Sequence, residues 1–280
     1  MVSIQNLHFS YGKRSVFQGL DLELRAGHIY GILGRNGMGK STLLRSIGGF
    51  LLPQKGAIKV LGYDPGRRKP VCLQEVVLVP EDFVLPSMKL SRWVDLYGAF
   101  YDRFDRSLFD RTTREFDISS DARLDEMSYG QQKKALISFA IATNAAVLLM
   151  DEPTNGLDIV SKSQFRKIIA ASIGEDRCMV ISTHQVKDLE NLIDRVTFLD
   201  EGRIVFDESI DNISQKLLFR HAYDPGDLDN AFYRESAFGG DFVLLPNIDG
   251  KDSRPDLELL YKAVMLNGEK VRSLFKTKAS

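Results

Sequence analysis

Residues 34–41, Gly34-Arg35-Asn36-Gly37-Met38-Gly39-Lys40-Ser41, fit the pattern G-x-x-x-x-G-K-[ST] at every fixed position. The residue types are those that phosphate binding needs. Glycines let backbone N–H groups close around phosphate oxygens without Cβ clashes. Lys40 brings a flexible cation to the outer phosphates. The Ser41 hydroxyl can ligate Mg²⁺, and Thr42 follows it. A second group lies far along the chain, where the apolar run Ala146–Met150 ends in Asp151-Glu152. Asp151 can join a magnesium shell, and Glu152 can polarise a water. An acidic strand end alone says little. Joined to the phosphate loop, it implies binding of a nucleoside triphosphate with Mg²⁺.

Such groups need elements to carry them. "HIYGIL" (28–33) is a short apolar run expected to be a strand that delivers Gly34. "KSTLLRSIGGFL" then spaces Leu43, Leu44 and Ile47 as one helical face, so the helix N-terminus adds its partial positive charge. "EVVLVP" (75–80), "AVLLMD" (146–151) and "CMVIST" (178–183) read as buried strands. "SQFRKIIAASI" and "VKDLENLI" read as helices between them, and "RVTFLDEGRIVF" as a hairpin about Glu201-Gly202. Strands alternating with helices predict an α/β fold on a mixed, largely parallel sheet.

The composition changes over 88–127, where charges mix with Trp93, Tyr97, Phe100, Phe104 and Phe109 at helical intervals. A small helical subdomain of two or three helices, about 88–135, is expected. Its aromatics read as a packing face rather than a base-stacking platform, because the run is net neutral. From about residue 215 the chain becomes loop-rich, with Pro225, Gly239-Gly240 and Pro246 around one apolar strand, "FVLLPNI". A terminal helix, "PDLELLYKAVMLNGEKVRSLFK", closes it. This predicts residues 1–214 as the main domain and 215–280 as a small α+β appendage.

Bulk properties narrow the function. The 280 residues carry 37 basic and 38 acidic side chains, net −1, so nucleic acid is not an expected partner. Two distant cysteines, Cys72 and Cys178, suit reduced buried thiols rather than a disulfide scaffold. The N-terminus lacks the apolar core of a secretory signal, and no apolar run approaches the roughly 18–20 residues of a membrane span. A role at a membrane would need another chain to supply the spans.

Four segments together, 34–42, 127–131, 151–158 and 182–184, resemble the nucleotide-binding subunit of an ABC transporter. "GRNGMGKST" is similar to that family's phosphate loop, and "LLMDEPTNGLD" to its Walker B strand and D-loop. "STH" is similar to the switch-histidine segment, and "MSYGQ" to the signature usually written LSGGQ. The order matches, and the resemblance covers about residues 1–212. It implies a P-loop ATPase with Tyr11 stacking on adenine, Glu152 as general base and His184 at the γ-phosphate. Ser128, Gly130 and Gln131 would meet the nucleotide of a facing subunit, and Asp158 would lie at that dimer contact. ATP and Mg²⁺ are the implied ligands.

The resemblance also implies a homodimer, or a heterodimer with a second ATPase of the kind, driving a separate transmembrane permease. Its place would be cytoplasmic, at the inner face of the membrane. The short helical subdomain and single ATPase unit look more like an ABC-2 type exporter than an importer. A soluble relative acting on ribosomes or DNA would usually carry two ATPase units or a long coiled-coil insertion, and a P-loop kinase would not need residues 127–131. His8, His28 and His221 match no motif and read as structural.

Two positions depart from the family pattern. Glu81, in "LVPEDFVLP", stands where a Gln is usual and would offer the metal a charge instead of a neutral carbonyl. Tyr129 replaces the first signature glycine, so its ring must point away from the nucleotide or pack beside it.

Overall fold

The computed structural model describes residues 1–222 and 230–275. The segment around Pro225 and the last residues of the terminal run lie outside them. Strands β1 (Val2–Tyr11), β2 (Arg14–Leu24) and β4 (Lys55–Val60) form an antiparallel sheet in the order β2-β1-β4. The main sheet contains β3 (His28–Leu33), β5 (Val76–Val79), β6 (Val147–Asp151), β7 (Cys178–Thr183), β8 (Arg195–Asp200) and β9 (Arg203–Ser209). Its order is β5-β6-β7-β3-β8-β9. Every pairing in it is parallel except β8 with β9, which is the expected hairpin. Glu201 and Gly202 both take positive φ, 44° and 74°, as a tight hairpin turn requires.

The period-two geometry of a strand divides each apolar run between two cores. Ile29, Leu148, Met150, Met179 and Ile181 face one side, where they meet Phe109, Phe139, Phe165 and Ile169. Tyr30, Ile32, Val147, Leu149 and Val180 face the other, against the antiparallel sheet and Leu43, Leu44 and Ile47 of α1 (Lys40–Ile47). Burying one such side chain contributes roughly 1.5–3 kcal/mol, so runs buried on both faces hold the central strands firmly.

The helical subdomain comprises α3 (Leu90–Gly98), α4 (Arg106–Glu115) and α5 (Tyr129–Ala142), with a short α2 (Pro70–Leu73) before it. Asp105 starts α4 by accepting the Leu108 N–H at 2.9 Å. Trp93 and Phe104 pack around Phe139, with ring centroids at 4.6 and 5.3 Å, and Phe109 is fully buried. Tyr97 and Phe100 remain exposed, so the aromatic face is buried only in part.

One expected helix is absent. "VKDLENLI" forms a single 3-10 turn, Val186–Asp188, and then turns. Asn191 there takes φ 66°, which a continuing helix cannot accommodate. Helix α6 (Ile159–Ser172) forms as expected.

Beyond α7 (Ile210–Lys216) lie β10 (Leu217–Ala222), β11 (Tyr233–Ala237), β12 (Gly240–Pro246) and α8 (Leu257–Ser273). The strands form a sheet ordered β10-β12-β11, where the sequence suggested one strand alone. This region shares its core with the main body. Leu217, Leu244, Leu257, Leu260 and Val264 belong to the same apolar cluster as Phe198, Phe206 and Leu189.

Candidate functional site

Three adjacent strands end level with one another. Leu33 at the end of β3 pairs with Thr183 of β7, and Ser182 pairs with Asp151 at the end of β6. The loop after β3 and the residues after β6 and β7 therefore meet outside the carboxyl edge of the sheet, where α/β folds place their ligands.

The loop closes tightly. Gly39 has φ 103°, and a Cβ there would lie 2.9 Å from Val16 and 3.0 Å from the Phe17 ring. A Cβ at Gly34 would lie 2.5 Å from the Leu199 carbonyl oxygen. Both positions require glycine. Helix α1 begins at once, with no side-chain cap on its N-terminal N–H groups. Those donors are left for an anion.

Lys40 is buried and folds back into the loop. Its ammonium donates to the Gly34 carbonyl at 2.8 Å and lies 3.8 Å from Oε1 of Glu152. Burial lowers its pKa, while the carboxylates of Glu152, Asp151 and Glu81 oppose that shift.

Glu152 is held at every oxygen. Oε2 accepts from the Thr183 hydroxyl at 2.8 Å. Oε1 accepts from the His184 backbone N–H at 3.0 Å and lies 2.8 Å from His184 Nδ1. Its backbone takes φ 44°, a left-handed conformation costly for a residue with a side chain. Asp151 is buried beside it and accepts the Ser182 hydroxyl at 2.5 Å.

One cavity of about 300 Å³ joins most of these groups. It is lined by Tyr11, Asn36, Gly37, Gly39, Lys40, Ser41, Thr42, Glu81 and Glu152, with Arg14 and Val16. Tyr11 stands at the rim, half exposed, edge-on to Phe9 at 4.9 Å. Gly34, Arg35 and His184 line a neighbouring cavity, and Met38 a third with Arg14 and Arg203.

The signature residues do not line the main cavity. Ser128 caps α5, accepting from the Gln131 N–H at 3.3 Å, while the Gln131 side chain accepts from the Ser128 N–H at 2.9 Å. This reciprocal capping box fixes the turn. Tyr129 stacks on Phe83, with centroids 5.2 Å apart. Its hydroxyl reaches the backbone of Glu81. Glu81 also accepts from the Asn155 side-chain amide at 3.0 Å, and Asn155 accepts from the Gln185 side chain at 3.2 Å. Asp158 caps α6 by accepting the Ser161 N–H at 2.7 Å, and this bond lowers its pKa.

Sequence reasoning passed over several residues here. Lys133 is fully buried and donates to the backbone carbonyls of Glu152 at 2.9 Å and Asn155 at 3.4 Å. Burial lowers its pKa, with Glu81 and Glu152 opposing. Its only signal was a basic pair within an apolar helix. Thr183 and Ser182, which grip the two acids, lie in the "STH" segment, but the sequence assigned a role only to its histidine. His28 pairs with Asp194 at 2.8 Å, His8 lies 3.1 Å from the Asn6 side chain, and both cysteines are buried and free.

Comparison with known proteins agrees with this geometry. A family model described as ABC transporter matches residues 17–155. An uncharacterised ABC transporter ATP-binding protein of Methanocaldococcus jannaschii is 30% identical over 232 residues, covering 81% of this chain and 84% of that protein. Nod factor export ATP-binding protein I of Cupriavidus metallidurans is 25% identical over 209 residues, covering 72% and 69%. A solved dimeric ATP-binding cassette, in a post-hydrolysis state with ADP and phosphate, shares the fold at a TM-score of 0.65. It is 21% identical and covers 75% of this chain and 98% of that one. With its phosphate loop and Glu152 in one cavity and His184 lining the next, this chain belongs to the ATP-binding proteins of ABC transporters, the ATP-hydrolysing subunits of those systems.

Proposed function

We propose that two ATPase subunits, each of this kind, close around two Mg-ATP molecules and drive a separate permease in export. The observation that carries this reading is the placement of Glu152. Its carboxylate sits 3.8 Å from the phosphate-loop lysine and is oriented by Thr183 and His184. A carboxylate so held can orient a water in line with the outer phosphate.

The remaining roles follow from position. The phosphate loop and the α1 N-terminus receive the phosphates, and Tyr11 offers a face to adenine. Among the described residues, no set of three or more His, Cys, Asp or Glu side chains is placed to hold a metal by itself. A magnesium ion would therefore share its shell between protein and phosphate oxygens, the usual mode for Mg²⁺. Ser41, Asp151 and Glu81 are the protein groups proposed to contribute. Ser128, Gly130 and Gln131 would receive the facing subunit's phosphate, with Asp158 near the dimer contact.

The proposed place of work is the inner, cytoplasmic face of a membrane, beside the permease that would supply the spans. Among the described residues, no helix is long and apolar enough to cross one. Export is favoured by the Nod factor export relative, whose name states that role. Residues 1–214 are read as the ATPase domain and those beyond as an accessory region.

The test uses Glu152→Gln, which keeps the shape and removes the charge. Hydrolysis should fall by about 10²–10⁴-fold, the range for losing a general base. ATP should then trap a dimer, measured by light scattering after gel filtration. A variant that stays monomeric with ATP and Mg²⁺ would sink the two-subunit reading, and one that still hydrolyses would displace Glu152 from its role.

A further inference from the structure

Arg14 falls outside the four segments that carry the family resemblance, yet the fold brings it to the nucleotide cavity. Strands β1 and β2 join through two residues, Gly12-Lys13, with Gly12 at φ 57°, a left-handed conformation suited to so short a hairpin turn. Tyr11 and Arg14 therefore pair directly across the hairpin, and paired residues project to one face of the sheet. Both line the cavity of about 300 Å³ that contains the phosphate loop and Glu152. The Arg14 guanidinium reaches the loop itself, where Nη2 donates a long hydrogen bond of 3.5 Å to the Gly37 carbonyl. It thus spans from the aromatic proposed to face adenine to the loop proposed to hold the phosphates.

The charges lining the cavity leave Arg14 without a counterpart. Its cations are Arg14 and Lys40, and its carboxylates are Glu81 and Glu152. The Lys40 ammonium lies 3.8 Å from Glu152, and Glu81 accepts from the Asn155 amide. Among the described residues, no carboxylate forms an ion pair with Arg14. Glu201 shares an adjoining cavity of about 550 Å³ with it and still does not pair with it. A guanidinium carries five N–H donors in a planar fork and keeps its charge at any working pH. One long bond to a peptide carbonyl uses little of that capacity. A phosphate chain laid on the loop would present the acceptors and the negative charge that the fork matches.

We infer that Arg14 is a nucleotide-binding residue whose guanidinium contacts the phosphate chain of the bound triphosphate. The inference rests on the proposed ATP reading of the site. Lys40 meets the chain from within the loop, and Arg14 meets it from the rim. One hairpin therefore carries both an aromatic face for the base and a cation for the phosphates.

Arg14→Gln and Arg14→Lys in the full chain are the test. The readouts are affinity for adenylyl imidodiphosphate with Mg²⁺ by titration calorimetry at several salt concentrations, and melting temperature without nucleotide. Arg14→Gln should bind about three- to thirtyfold more weakly, the range for a hydrogen bond to a charged group reduced by its exposure. Its affinity should also fall less steeply with salt than that of wild type, because a screened charge contact has gone. Arg14→Lys should recover the salt dependence and part of the affinity. Both variants should melt with wild type when no nucleotide is present. Unchanged affinity in Arg14→Gln overturns the inference. A loss with the wild-type salt dependence also overturns it, since that marks a contact with the sugar or a brace on the Gly37 carbonyl. A loss that follows a lowered melting temperature, in Arg14→Gln and Arg14→Lys alike, overturns it as well. If the wild-type chain fails to bind the analogue, the ATP reading itself fails and takes this inference with it.

Discussion

The Tyr129 hydroxyl donates a 2.5 Å hydrogen bond to the backbone carbonyl of Glu81. The bulky residue at the signature position thus ties the start of α5 to the loop after β5. Phe83 stacks on the same ring. Replacing Tyr129 with glycine, the usual residue there, removes both contacts. Amide hydrogen exchange at residues 81–84 should then rise severalfold while the central strands stay protected. Unchanged exchange in that loop would mean the contact contributes nothing to its order.

Thr183 and Glu152 form a second testable pair. Thr183→Val keeps the shape and removes the hydroxyl that Oε2 of Glu152 accepts. Losing one such bond is worth about 0.5–1.5 kcal/mol, so kcat should fall roughly two- to tenfold. KM for ATP should move less, because Thr183 does not line the main cavity. Steady-state kinetics decides between these; a change confined to KM would contradict the orienting role.

The phosphate loop has no room at Gly39. Gly39→Ala places a methyl against Val16 and Phe17 in a left-handed conformation. Strain of that kind costs about 1–3 kcal/mol. Urea unfolding should register the loss, and ATP binding should weaken with it. A variant as stable and as tight-binding as wild type would show that the loop tolerates another shape.

Cys178 sets an alkaline limit. Burial pushes its thiol up to about 12 from an ordinary value of 9.0. Above pH 9 the unfolded thiol releases its proton while the folded one keeps it, so the native state binds more protons. The stabilisation is fully present below pH 9 and is lost as pH rises toward about 12. Cys178→Ala should therefore show a shallower fall in stability over pH 9–10.5 than wild type, by urea titration at each pH. Parallel slopes would mean the thiol does not titrate differently in the two states.

The phosphate loop was readable because all its residues are consecutive, and the left-handed backbone at Gly39 favours glycine locally. Asp151 and Glu152 were readable as the end of an apolar run. What grips them was not. Thr183, Ser182 and Lys133 reach those acids only because β7 lies beside β6 and α5 packs beneath, and strand order is a property of the assembled sheet. The helix expected after His184 failed for a local reason, Asn191 adopting a conformation no helix accepts. Strand β11, "YRESA", escaped notice because it carries no apolar face of its own and is specified by pairing with β12. Helix α8 was visible, but nothing in its spacing indicated that its Tyr261 would line a cavity with the phosphate loop.

The buried lysine on α5 has a consequence for cooperativity. Ser128 opens that helix, and Lys133, within its next two turns, binds the backbone carbonyl of Glu152. A neighbouring subunit's phosphate seated on Ser128, as proposed above, would draw on the helix whose ammonium holds the backbone of Glu152. Thermodynamic linkage is reciprocal: whatever free energy that docking lends to Glu152, an ordered Glu152 returns to the docking. Two ATP molecules bound this way would each report the other's arrival, and the four helical residues between Ser128 and Lys133 would carry the message.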